Sequence, residues 1–174
     1  STSRSAKSDR PRARSGLTPD EQRRFGAFDT PPFLVERLLD WSLQPLLDDG
    51  RDPRTIRVLD PSCGTGNFLV AAARRLGTTR NVVGIDTDAR AIDACRSAIG
   101  GDARLVVGDA FTADVSDGTF DVVVGNPPFL TQLRRATTTD RETRVARLGT
   151  PIPPYADEAS LFLVLTTRLA RADG

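Results

Sequence analysis

At 174 residues, with a formal charge of +1, 39% hydrophobic and 27% charged side chains, the chain has the balance of one globular domain with a sizeable core. Two cysteines and no histidine exclude a four-ligand zinc site, histidine base catalysis and zinc-dependent deamination. No apolar run approaches the ~20 residues that span a bilayer, and the N-terminus lacks the apolar stretch of a secretory signal, so a reducing cytoplasm with both thiols free is the expected setting, with no membrane and no metal.

In chain order, residues 1–17 carry Arg4, Lys7, Arg10, Arg12 and Arg14 among polar neighbours and read as a flexible basic arm, a solvated tail before a nucleic-acid contact. Residues 18–174 read as one domain. Thr18-Pro19-Asp20-Glu21 is a capping box with proline at the first helical position. Thr30-Pro31 repeats the start signal, and Phe33, Leu34, Leu38, Leu39 and Trp41 then form a helical apolar face, with Trp41 expected in the core. Four βα-type units follow, with strands near 56–60, 82–86, 104–108 and 121–125 and helices near 66–76, 88–99 and 157–171. Arg134 to Arg147, with Arg141 and Arg144 between, is a polar insertion: a mobile surface loop or, equally, a DNA-facing segment. The series predicts an α/β fold on a Rossmann-like sheet.

The loops carry the chemistry. Asp60-Pro61-Ser62-Cys63-Gly64-Thr65-Gly66-Asn67-Phe68-Leu69 is a strand end, a glycine turn and a helix start, where Gly64 and Gly66 permit close approach of a ligand to bare backbone. The third glycine of the dinucleotide fingerprint is missing, which argues for a ribose without a pyrophosphate. Asp86 ends the second strand where an acidic side chain takes a ribose diol, and Gly108-Asp109-Ala110-Phe111 ends the third, where a carboxylate can accept from an exocyclic amine and Phe111 can wall an adenine. Taken singly, each carboxylate is also an ordinary solvated turn residue. Asn126-Pro127-Pro128-Phe129 closes the fourth strand. Proline fixes φ and removes donors, so the Asn126 amide oxygen and the Pro127 carbonyl can each accept one N–H of a planar amine while Phe129 offers a stacking face; the alternative is a plain strand exit with Phe129 plugging the core.

Together these motifs resemble the S-adenosylmethionine-dependent DNA adenine-N6 methyltransferases. Phe25-Gly26-Ala27-Phe28-Asp29-Thr30-Pro31-Pro32 is similar to that family's Gly-x-aromatic-aromatic-Thr-Pro element, with Asp29 replacing the second aromatic, and its position ahead of the glycine turn matches the gamma motif order. The resemblance implies cofactor contacts from Thr30, Pro31, Asp60, Pro61, Cys63, Gly64, Gly66, Phe68, Asp86, Thr87, Asp109, Ala110, Phe111 and Asn126, and a catalytic loop of Asn126, Pro127, Pro128 and Phe129. It also implies a flipped adenine as substrate in a restriction-modification or related defence system. Family members continue with further strands and a target-recognition region, so the chain is expected to be the cofactor-binding and catalytic half, inactive alone and reaching DNA through that region or a partner subunit. Two other readings stay open: methylation of a protein glutamine amide or a ribosomal RNA guanine amine, and a non-catalytic subunit that keeps the cofactor pocket. Recognition sequence and oligomeric state are not legible.

Overall fold

The computed structural model describes residues 30–127, 138–150, 153 and 156–172. The arm, the Thr18 capping box, Phe25 to Asp29, Pro128 and Phe129 lie outside the described residues. Four parallel strands form the sheet: β1 (Val58–Asp60), β2 (Val82–Asp86), β3 (Arg104–Val107) and β4 (Val122–Val123), in the spatial order β3-β2-β1-β4. Val58 pairs with Val82 on one side and Val122 on the other. The strands read as continuous apolar runs because the central ones are buried on both faces, as parallel sheets require. An α/β, Rossmann-like sheet is what the sequence predicts, and it is what forms.

Helices α1 (Pro32–Ser42), α2 (Gln44–Asp48), α3 (Asn67–Leu76) and α4 (Ala89–Ile99) precede β3, while α5 (Thr138–Leu148) and α6 (Glu158–Leu169) follow β4. Two apolar clusters cover the sheet. One joins Val35, Leu39 and Leu43 to Leu69, Ala72, Ile92 and Val58. The other joins Ile85, Phe111 and Phe120 to Leu148, Leu161, Leu165 and Leu169. After α6, Ala170 forms a parallel bridge to Phe120 beside β4. Asp121, wholly buried, accepts from the Arg57 N–H and the Arg51 guanidinium, so the start of β4 is tied to the chain entering β1.

Two expectations are corrected. Trp41 is 67% exposed rather than in the core, and Phe33, Leu34 and Leu38 are exposed with it. The buried stripe of α1 is instead Val35 and Leu39, running on to Leu43, because Glu36 and Asp40 turn toward α3, where Glu36 pairs with Arg74 and Arg75, and Asp40 with Arg75. The polar segment ending at Arg147 is no surface loop from Thr138 onward: it is α5, which buries Leu148 and turns Arg144 and Arg147 inward onto Asp109 and Asp117. Among the described residues no helix is long and apolar enough to cross a membrane.

Candidate active site

In a parallel sheet whose strand order reverses, loops at the carboxyl ends of the strands diverge at the reversal and leave a crevice. Here the reversal falls between β1 and β4, and the two most specific motifs flank it. Asp60 is the last residue of β1, and Asn126 stands three residues past the end of β4. Asp86 ends β2, and Asp109 follows β3 by two residues. One edge of the sheet thus gathers every acidic and amide side chain singled out in the loops.

The glycine turn is held by β2 and by its own backbone. Cys63 N–H donates to the Ile85 carbonyl at 2.9 Å, Gly66 N–H to the Cys63 carbonyl at 2.8 Å, and Gly64 N–H to Asp86 Oδ2 at 2.8 Å. Asp86 Oδ1 accepts from Asp88 N–H at 2.9 Å. A carboxylate offers about four acceptor positions, so two remain on Asp86 for a diol. Gly66, at φ 91°, starts α3 in the left-handed region, and a Cβ there would stand 2.4 Å from Cys95 Sγ. Asn67 Nδ2 reaches the Thr30 carbonyl at 3.5 Å, which brings Thr30-Pro31 to the first turn of α3 although 37 residues separate the partners.

Gly125 joins the two motifs. A Cβ on it would meet Asp60 Oδ1 at 2.7 Å and Ser62 Oγ at 3.3 Å, so only a glycine lets the residue before Asn126 lie against the start of the turn. Asp60 is 1% exposed, and Oδ1 accepts from Ser62 N–H at 3.0 Å. Burial pushes its carboxyl up to about 7; the nearby charge of Asp86 adds to the rise and the Ser62 N–H opposes it. The Cys63 thiol is pushed up by its hydrogen bond to Cys95, then by burial, and stays protonated. Ser62 Oγ is buried without a hydrogen-bond partner. An unsatisfied hydroxyl beside a glycine turn suits a polar ligand better than a closed core.

On the β3 side, Asp109 Oδ1 accepts from Phe111 N–H at 3.0 Å, and Oδ2 accepts from Arg144 at 2.7 Å. Phe111 is 1% exposed and meets Phe162 edge-on at 5.2 Å, with the Arg144 guanidinium 4.9 Å from its centroid. Phe68, Pro61 and Ala110 are also buried, while Thr87 and Pro31 are exposed. Sequence reasoning missed Gly125, Ser62 and the inward role of Arg144. The pairing of Arg144 with Asp109 joins residues 35 apart and leaves no local signal.

The geometry agrees with the relatives of this chain. Residues 58–147 match the methyltransferase domain family model. The chain is 31% identical over 136 residues to the type I restriction enzyme MjaIX methylase subunit of Methanocaldococcus jannaschii, covering 71% of this chain and 24% of that protein. It is 30% identical over 150 residues to the release factor glutamine methyltransferase of Chlorobaculum tepidum, covering 80% of this chain and 51% of that one. The crystal structure of the type IIG restriction endonuclease BpuSI shares the fold with a TM-score of 0.66 at 19% identity, over 83% of this chain and 18% of that one. The chain therefore spans about half or less of these proteins. A glycine turn between β1 and α3, an acidic residue ending β2 and the matched span together place the chain in the methyltransferase domain family, with S-adenosylmethionine as its cofactor.

Proposed function

We propose that this chain carries the active site of a DNA methyltransferase acting on the exocyclic amine of a flipped adenine. The observation that carries the proposal is that Gly125, the residue before Asn126-Pro127, lies against Asp60 and Ser62 at the start of the glycine turn, beside the β1/β4 crevice. Restriction methylases among the relatives support DNA as the substrate. Gly64, Gly66 and Ser62 would receive the cofactor's amino-acid part, Asp86 its ribose diol, and Asp109 with the Phe111 ring its adenine. The cofactor supplies a methyl group already activated on a sulfonium, so what the protein must add is placement.

Adenine's amine is a poor nucleophile because its lone pair is delocalised into the ring. Two acceptors, the Asn126 side-chain oxygen and the Pro127 carbonyl, would hold its N–H groups so that nitrogen becomes pyramidal and the lone pair localises, an interaction strongest in the transition state. Methylation replaces one N–H by N–CH3 and releases a proton. Phe129 is assigned the stacking face for the extruded base, worth about 1–3 kcal/mol against an unstacking cost of a few. Any planar –NH2 satisfies the same two acceptors, and the release-factor relative favours a glutamine amide as the second reading.

The test is methyl incorporation from tritiated cofactor, using the intact protein that carries this chain, into duplex DNA, a release factor and ribosomal RNA in parallel. Label is expected in N6-methyladenine of DNA, and Asn126→Ala should lower it roughly 100-fold or more with cofactor affinity nearly unchanged. Label in release-factor glutamine alone would overturn the DNA reading, and near-normal turnover by Asn126→Ala would overturn the loop's assigned role.

A further inference from the structure

A guanidinium is flat, donates N–H bonds in its own plane and stacks on aromatic faces. An adenine ring has the same profile, with an N6 amine that donates in plane and a face that stacks. In this structure the acceptor and the ring assigned to adenine are both engaged by one guanidinium. Arg144 donates to Asp109 Oδ2 at 2.7 Å and lies 4.9 Å from the Phe111 centroid, and its side chain is only 16% exposed. The helix that delivers it has its own anchors. Arg147 pairs with Asp117 at 2.7 Å, and Leu148 is fully buried. The Arg144 side chain can therefore swing out while α5 stays docked.

We propose that Arg144 is a resident stand-in for the cofactor's adenine, holding the Asp109–Phe111 subsite in the free protein and leaving it when the nucleoside enters. The proposal rests on the assignment of Asp109 and Phe111 to adenine made above. Its consequence is a lowered apparent affinity, because the cofactor binds only the fraction of molecules in which the guanidinium has left. Arg144 thereby sets cofactor affinity without touching the methyl group or the substrate amine. It also preserves Asp109 and Phe111 in a paired, water-excluding arrangement between turnovers.

Calorimetry of S-adenosylhomocysteine and of adenosine binding to wild type, Arg144→Ala, Arg144→Lys and the exposed control Arg80→Gln tests the idea. Arg144→Ala should tighten both ligands roughly three- to thirtyfold, Arg144→Lys should fall between, and Arg80→Gln should match wild type. Modification of wild-type Arg144 by phenylglyoxal, read by peptide mass spectrometry, should increase severalfold, on the order of the freed fraction, when S-adenosylhomocysteine is present. This readout needs no variant to fold. Unchanged or weaker binding by Arg144→Ala, or reactivity of Arg144 that stays level or falls with ligand, overturns the stand-in while leaving the cofactor assignment intact. Failure of wild type and variant alike to bind either ligand would overturn the adenine assignment itself, and this proposal with it.

Discussion

A carboxyl group shut away from water near a second carboxylate resists ionisation, and Asp60 is such a group. In the unfolded chain an aspartate titrates near ~3.9, whereas burial holds folded Asp60 up to about 7. Between those values the folded form keeps a proton that the unfolded form has lost. The stabilising contribution is therefore complete below about pH 4 and disappears as pH rises through about 7. Asp60→Asn retains an oxygen to accept from Ser62 N–H and cannot titrate. Its stability relative to wild type should rise between about pH 4 and pH 7.5 by on the order of 3–4 kcal/mol, read from urea midpoints across that range. Parallel pH profiles for the two proteins would remove Asp60 as the source. The sequence singled out Asp60 by its place before the glycine turn, but Gly125, which packs against it from the loop after β4, lies far along the chain.

The turn between β1 and α3 shows how one element assigns different duties to similar residues. Gly64 and Gly66 both have positive φ, at 53° and 91°. Around Gly64 a Cβ would find open space, while at Gly66 it would strike the Cys95 thiol of α4. Gly64→Ala is expected to cost about 1–2 kcal/mol from backbone strain alone. Gly66→Ala should cost about 3–4 kcal/mol, because strain is joined by overlap inside a packed helix pair. Chemical denaturation of both variants checks the order, and equal losses would show that the α3–α4 packing yields freely. Glycine spacing in the sequence marked both positions for close approach; the Cys95 thiol behind one of them belongs to another helix and could not be read there. Helix α1 gives the converse case. It is apolar nearly all round, so its 3.6-residue period fits two stripes, and the ion pairs of Glu36 and Asp40 with α3 select the one containing Val35 and Leu39.

For the molecule as a whole, strand composition and βα alternation made the sheet legible, and the loop motifs marked the strand ends at which the cofactor is proposed to sit. Orientation between distant elements was not, which is why Trp41 and Arg144 face opposite to expectation. The strand order carries one more consequence, for the sequence in which the molecule assembles. Val58 finds Val82 after a short βα unit, but Val122 only after the β2, α4 and β3 segments have intervened. Longer loops close at greater entropic cost, so pairing on the β2 side should come first. Pulse-labelled hydrogen exchange during refolding should protect Val58 N–H and Cys63 N–H, bonded to Asn81 and Ile85, before Val122 N–H and Val124 N–H, bonded to Arg57 and Leu59. Simultaneous protection of all four would instead mean that the sheet condenses in one step. If the order holds, a chain that has completed its glycine turn spends part of its folding time with Asn126 still unplaced. Nascent protein would then acquire the glycine turn assigned to the cofactor before it acquires the loop assigned to grip the amine.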